Sequence, residues 1–257
     1  MTTRPVAITG AASGIGAATR ALLESRGAVV IGVDLRDSEI TADLSTPDGR
    51  AAAVEQIGAL APEGLGGLIA CAGIAGLTGV DSQLLVSVNY FGAVDLATGL
   101  RPLLTDASVV FLSSNSVTCQ PGWFTEVATC CLSGDEAATR ELAASQDAVQ
   151  LYPATKAALA WWVRRNCVDW ARDGIRLNAI APGLIATPMT DALRDDPVLG
   201  VFADAYPSAL ERPGRPEEVA ELLAFMVSPA SSLMVGSVVF VDGGTDAMMH
   251  AEMPQGS

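Results

Sequence analysis

Thr9-Gly-Ala-Ala-Ser-Gly14-Ile-Gly16 joins a strand-like run at 5–9 to a helical pattern at 15–26. Glycines at 10, 14 and 16 remove side chains where backbone can come close to a ligand. Free N–H groups at a helix N-terminus then favour a phosphate group. Strand, glycine turn and helix in this order predict a dinucleotide site within a parallel sheet, provided the rest of the chain keeps the same alternation.

It does. Further strand candidates lie at 28–33, 40–43, 65–71, 108–113, 175–180 and 237–241, and helix candidates at 47–60, 82–103, 152–172 and 216–227. The expectation is an α/β fold: a doubly wound, seven-stranded parallel sheet with helices on both faces. Pro47 behind Thr46, and Pro216 ahead of two glutamates, mark helix starts. No repeat, low-complexity tract or linker divides the chain, so 1–257 is expected to be one domain. About thirty residues at 118–149 interrupt the rhythm. There Ser133-Gly-Asp-Glu136 has capping-box spacing before an Ala-rich acidic stretch, which predicts a helix in a lid or an interface element.

The second strand ends at Asp34, 18 residues past Gly16. A carboxylate at that point can accept from both adenosine ribose hydroxyls and repels a 2′-phosphate. Neither Ala12 nor Leu35 is basic, so NAD is expected over NADP, with Arg36 keeping the second open.

Lys156 is the one lysine among 15 basic residues, and it follows Tyr152, one of three tyrosines, by four positions. At i and i+4 on a helix, ammonium and phenol share a face. A phenol near pKa 10 is a poor base at neutral pH, but a nearby ammonium and a bound nicotinamide cation favour phenolate. Lysine's compact head also reaches ribose hydroxyls better than a planar guanidinium. Ser113-Ser114-Asn115-Ser116 closes the fifth strand on the rim where such sheets bind ligands. Alone it reads as turn chemistry; beside Tyr152 it offers Ser114 as a donor to a substrate oxygen.

Composition narrows the partners. Half the residues are hydrophobic and 17% charged, with 29 acidic against 15 basic and a formal charge of -14. A packed core is expected, and neither nucleic acid nor a membrane surface suits that charge. Five cysteines in no CxxC pair, with the single His250, give no metal site. The N-terminus lacks a signal-peptide pattern, so a cytoplasmic protein with reduced thiols is expected.

In order and spacing, Thr9–Gly16, Asp34, Asp43-Leu44, Cys71-Ala-Gly73, Asn89, Ser114, Tyr152-Pro-Ala-Thr-Lys156, Pro182-Gly183 and Asp242-Gly-Gly244 resemble the short-chain dehydrogenase/reductase family, with its single Rossmann-type domain. The stretches from Gly14 to Arg20, Ser87 to Gly92 and Arg176 to Gly183, with the insertion, are most similar to bacterial 3α-hydroxysteroid dehydrogenases/carbonyl reductases. The resemblance implies roles. Tyr152 is the acid/base, Lys156 lowers its pKa and binds ribose, Ser114 donates to the substrate oxygen, and Asn89 holds a water behind Lys156. Gly10, Ser13, Gly14, Ile15 and Gly16 cradle pyrophosphate; Asp34 takes the ribose, Asp43 and Leu44 the adenine. Cys71, Ala72 and Gly73 approach the cofactor, while Pro182, Gly183 and Thr187 flank the nicotinamide. The family's usual Asn-Ala-Gly is Cys71-Ala-Gly73 here, and Ser114 and Tyr152 stand 38 residues apart where a dozen or so is usual, which puts lid and interface geometry in question.

The implied reaction is NAD(H)-linked interconversion of a secondary alcohol and a ketone. A substrate loop at about 184–215 offers Leu184, Ile185, Met189, Leu193, Val198, Leu199, Val201 and Phe202, with Trp123 and Phe124 from the insertion. Apolar walls suit a bulky substrate, a 3α-hydroxysteroid or carbonyl compound, unless they are the buried face of a lid. Terpenoid or other cyclic alcohols are the alternative. A 3-ketoacyl thioester reductase would want basic residues near the cleft, and a dinucleotide-sensing scaffold would not need Tyr152 with Lys156. Trp161, Trp162 and Trp170 exceed what one buried stripe requires and suggest a homodimer or homotetramer face.

Overall fold

A computed structural model describes residues 4–120 and 122–252, apart from the side chains of 202 and 204. Seven strands form one parallel sheet: β1 (Val6–Thr9), β2 (Val30–Asp34), β3 (Ile40–Thr41), β4 (Gly67–Ala70), β5 (Ser108–Leu112), β6 (Arg176–Pro182) and β7 (Val238–Val241). Their order is β3-β2-β1-β4-β5-β6-β7. The chain reverses direction of travel between β1 and β4, and a crevice opens beyond the carboxyl ends of those two strands. Most strands are shorter than the apolar runs that announced them, whereas β2 extends through Asp34 and β6 through Pro182, both at the crevice.

Alternation along the strands feeds two cores. Ala7, Val109 and Phe111 face one side, under α2 (Pro47–Leu60), α4 (Gly92–Leu100) and α8 (Ala148–Ala171). Ile8, Val110 and Leu112 face the other, under α1 (Gly14–Ser25) and α11 (Pro216–Met226), which add Leu23, Val219 and Leu223.

Three helices differ from expectation. The helix expected at 82–103 is α3 (Ser82–Val86), a π turn at Ser87–Phe91, α4, and a 3-10 turn at Arg101–Leu103. The π turn coincides with Asn89, whose amide is tied to a neighbouring loop. α8 begins before Tyr152 because Asp147 caps it, accepting the Val149 N–H at 2.7 Å. Pro153 therefore sits inside the helix and deprives the Val149 carbonyl of a donor; Gln120 supplies one at 3.1 Å. The Ser133 capping box does not form. Asp135 is the N-cap, accepting from Ala138 N–H at 2.9 Å, and Glu136 opens α7 (Glu136–Ala143).

Freed from capping, Glu136 pairs with the buried Arg50 of α2, which also meets Asp95 at 3.2 Å. The rest of the insertion is α5 (Ser116–Cys119) and α6 (Thr125–Cys131), with α6 packed along α8. Trp123 lies against Trp161 at 5.8 Å, and Trp162 meets Phe111 and Trp170, each at 5.4 Å. The aromatic surplus of α8, read from sequence as an oligomer face, is thus engaged within the chain. Among the described residues, no helix is long and apolar enough to cross a membrane, all cysteines are free, and no His/Cys/Asp/Glu cluster could hold a metal. The remaining short helices, α9 (Pro188–Arg194), α10 (Gly200–Asp204) and α12 (Thr245–Met249), sit after the carboxyl ends of β6 and β7.

Candidate active site

Gly10 and Gly14 adopt φ of +67° and +52°, left-handed backbone that favours glycine. A Cβ at Gly16 would lie 2.0 Å from the Gly10 carbonyl oxygen, so the turn closes only because that atom is absent. Ser13, the N-cap of α1, makes no side-chain cap, and the first-turn N–H groups of α1 are left facing a cavity of about 450 Å³. All the expected cofactor residues line this cavity: Gly10, Ser13, Gly14, Ile15 and Gly16 from the turn and the start of α1; Asp34 at the end of β2, Asp43 and Leu44 after β3; Cys71, Ala72 and Gly73 after β4; Pro182 at the end of β6, Gly183 and Thr187 after it; and Tyr152 with Lys156 from α8.

The residues fit a dinucleotide. Asp34 accepts the Ala12 N–H at 3.0 Å and the Leu35 N–H at 2.7 Å, one on each oxygen. An ionised carboxylate has about four acceptor positions, so two stay available on the cavity side for a pair of ribose hydroxyls. Cys71 in the family's asparagine position makes no side-chain bond to replace the usual amide. Burial pushes its thiol up to about 12, against the neighbouring Lys156, so it stays neutral. The Ala72 N–H donates instead to Thr9 Oγ1 at 3.0 Å.

Lys156 is 5% exposed, and its Nζ donates to the Leu112 carbonyl at 3.0 Å while lying 5.6 Å from the Tyr152 ring centroid. Ser113 Oγ donates to the Lys156 carbonyl at 2.8 Å, pinning this turn of α8 to the end of β5. Burial lowers the Lys156 ammonium to about 8. For Tyr152 the expected acidification by lysine is not what the protein groups produce: burial raises its phenol, and a hydrogen bond with Ser114 opposes that rise. The Tyr152 side chain is half-buried on the wall of the cavity, and a net lowering of its phenol calls for a positive charge brought into that cavity.

Asn89 is buried and does not line the cavity. Its Oδ1 accepts the Ile74 N–H at 2.8 Å and its Nδ2 donates to the Ile74 carbonyl at 3.0 Å. It nonetheless adjoins Lys156 across Gly73, where a Cβ would stand 3.1 Å from Asn89 Oδ1 and 3.4 Å from Lys156 Nζ.

A second cavity, about 570 Å³, shares Ser114, Tyr152, Gly183, Met189 and Thr190 with the first. Of the expected substrate residues, Leu184, Met189, Leu193 and Leu199 line it. Ile185 is buried in the sheet core, Val198 and Val201 are exposed, Trp123 and Phe124 pack on α8's core, and the Phe202 side chain lies outside the described residues. The insertion contributes through its ends: Cys119, Gln120 and Val149 form part of the wall. Sequence reading missed Met249 of α12 and Tyr206, whose hydroxyl donates to Asn115 Oδ1 at 2.6 Å. Asn115 was quoted beside Ser114 without a use, and Tyr206 is one of three tyrosines; both were visible signals.

Comparison with known proteins identifies the relatives of the whole chain. A family model described as enoyl-(acyl carrier protein) reductase matches residues 137–246. The chain is 38% identical to a 3-alpha-hydroxysteroid dehydrogenase/carbonyl reductase of Comamonas testosteroni, covering 95% of this chain and 97% of that one. It is 34% identical, over the same shares, to a coniferyl-alcohol dehydrogenase of a Pseudomonas strain. The crystal structure of a 3-alpha-hydroxysteroid dehydrogenase from Pseudomonas sp. B-0831, complexed with NADH, superposes with a TM-score of 0.93 at 42% identity, covering 97% and 99% of the two chains.

Proposed function

Since the chain belongs to the short-chain dehydrogenase/reductase family, we propose that it is an NAD(H)-dependent oxidoreductase that interconverts a secondary alcohol and a ketone on a bulky apolar substrate, of which a 3α-hydroxysteroid is the first candidate. One observation carries the reading: Ser114 and Tyr152 stand on the wall shared by the cavity at the glycine turn and an apolar one, with Lys156 buried behind. The 3-alpha-hydroxysteroid dehydrogenases among its relatives support the substrate class. Asp34, with two acceptor positions and a charge that repels a 2′-phosphate, supports NAD over NADP.

Gly10, Gly14 and Gly16 with the α1 N-terminus would hold the pyrophosphate, Asp34 the ribose, Asp43 and Leu44 the adenine, and Thr187 the carboxamide edge. When bound, the nicotinamide supplies the hydride exchange with the substrate carbon. Tyr152 Oη takes the hydroxyl proton in oxidation and returns it in reduction. Ser114 Oγ holds the substrate oxygen against it. Lys156, held 5.6 Å from the phenol ring, would bind the ribose, the positive charge that favours phenolate would arrive with the oxidised cofactor, and Asn89 fixes the Ile74 loop beside that ammonium. Leu184, Leu193 and Leu199 exclude water from the reacting oxygen. A homo-oligomer belongs to this reading, dimer before tetramer, supported by the exposed Leu233 and Val235 ahead of the edge strand β7.

The test is absorbance of NADH when the protein is mixed with NAD⁺ and a panel of hydroxysteroids, terpenoid alcohols and cyclic alcohols. Turnover should be seen with the polycyclic members, and Tyr152→Phe should lower it by about 10²–10⁴-fold while NADH affinity stays within a few-fold. Activity of that variant close to wild type would remove Tyr152 from the chemistry.

A further inference from the structure

The segment from 184 to 215 forms one wall of the apolar cavity, and a single buried carboxylate ties it to the wall opposite. Asp196 is 8% exposed, although Asp195 and Val198 on either side of Asp196-Pro197 are exposed. Its Oδ1 accepts from Val198 and Leu199 N–H, each at 2.9 Å, as a local cap. It also reaches across the cleft. Oδ2 accepts the Thr78 N–H at 2.8 Å, and Oδ1 accepts the Thr78 hydroxyl at 3.0 Å. Burial alone would raise this carboxyl, yet the N–H groups of Leu199, Thr78 and Val198 and the Thr78 hydroxyl outweigh it and hold it at about 2, so it is charged at neutral pH. Charge-assisted bonds of this kind are the strong ones.

What the carboxylate joins matters. Thr78 lies in the loop between β4 and α3 that also carries Ala75 and Gly76, and Leu193 and Leu199 flank Asp196 on the other side; Ala75, Gly76, Leu193 and Leu199 all line the apolar cavity. The far end of the segment is fastened separately, through Tyr206 to Asn115 and from Asn115 Nδ2 to Asp242 at 3.2 Å. Releasing Asp196 would free one side of the cavity while Ser114 and Tyr152 keep their own supports.

We propose that Asp196 is a positioning residue that fixes the width of the substrate cavity, and with it the size of ketone or alcohol accepted, by clasping the Leu193–Leu199 wall to the Ala75–Gly76 loop through Thr78. This rests on the substrate reading above, so its test has an arm that needs no turnover.

The full-length protein, Asp196→Asn, Thr78→Val and the control Asp195→Asn are compared. Thr78→Val deletes only the cross-cleft hydroxyl and leaves the local cap intact. Without substrate, amide hydrogen exchange should quicken by about tenfold or more in Asp196→Asn, and by less in Thr78→Val. It should quicken in residues 74–80 and in residues 188–204 together, with no change in the control. With NADH and ketones of one to four fused rings, KM for the best wild-type substrate should rise several-fold. The ratio of kcat/KM for the largest over the smallest ketone should shift at least about fivefold toward the largest. Both kcat for the best substrate and KM for NADH should stay within a few-fold. Faster exchange confined to 196–204, or an unchanged size ratio, would overturn the proposal by reducing Asp196 to a local cap. If the wild type reduces no ketone, the substrate reading fails on its own, and exchange on both sides of the cleft still decides whether the clasp exists.

Discussion

Replacing Lys156 by methionine should change how stability depends on pH, and in a direction opposite to most surface lysines. A solvated lysine titrates at 10.5; burial brings Lys156 to about 8, with the nearby Cys71 opposing. Below pH 8 both folded and unfolded chains hold the proton, and the folded state bears the full penalty of a desolvated ammonium. Between about 8 and 10.5 the unfolded chain keeps the proton while the folded chain releases it. The unfolded state then binds more protons, so stability rises with pH, and above 10.5 the penalty is gone. At about 1.4 kcal/mol per pH unit, that interval amounts to roughly 3 kcal/mol. Methionine removes this penalty but strands the Leu112 carbonyl, which now accepts Nζ at 3.0 Å, a pH-independent loss of about 1–3 kcal/mol. The buried thiols of Cys71 and Cys131 are both raised by burial and pull stability down once unfolded thiols ionise. Cys131 is common to both proteins, and Cys71, although it loses the neighbouring Lys156 charge in the variant, stays a neutral thiol in the folded state up to pH 10.5 in both, so each cancels over this range. Denaturant unfolding at pH 7, 8.5, 9.5 and 10.5 supplies the measurement. Wild-type stability minus variant stability should climb by about 3 kcal/mol across the range, or about 6–12 °C in Tm. A difference that stays flat would mean that the ammonium is not desolvated, and the account of Lys156 as a strained functional charge would fall.

Gly16→Ala should weaken NADH binding at least tenfold by fluorescence titration, because a Cβ 2.0 Å from the Gly10 oxygen forces the turn to move by about 1 Å; an unchanged affinity would refute the cradle. Gly58→Ala, inside α2 with its new Cβ 3.6 Å from Leu103, should instead stabilise the protein by about 0.5–1 kcal/mol, read from the unfolding midpoint. Among the described residues, Glu136→Ala leaves the buried Arg50 with Asp95, 45% exposed in its side chain, as its acidic partner. It should cost about 1–4 kcal/mol in calorimetry, and a loss below half a kcal/mol would show that the insertion is not anchored there. Asp34→Ser should raise the KM for NADH and lower that for NADPH, narrowing their ratio at least tenfold; steady-state kinetics with both cofactors checks it.

The sheet was legible because each β-branched run is local, and the glycine turn because its neighbours in sequence are its neighbours in space. Tyr152 and Lys156 were legible for the same reason, four residues apart on one helix. What escaped depends on distant pairs. The start of α8 hinges on Asp147 and on Gln120 serving a carbonyl that Pro153 leaves bare. Glu136 exchanges its predicted capping role for Arg50, 86 residues away. The tryptophans of α8 meet Trp123 and Phe111 within the chain, and Asp196 finds Thr78 across 118 residues. Asp196-Pro197 did carry a turn signal, but nothing local says which loop the carboxylate meets.

The π turn at Ser87–Phe91 carries one residue more than an ordinary helical turn. Deleting that residue would let the backbone close into an uninterrupted α-helix while the turns on either side keep their register. Leu85 and Val86 before it and Leu96 and Ala97 after it would still face the interior, but the widened turn that carries Asn89 to Ile74 would be gone, and with it both amide bonds. The surplus residue is what allows a single helix to serve the interior and the loop beside the reacting centre at once.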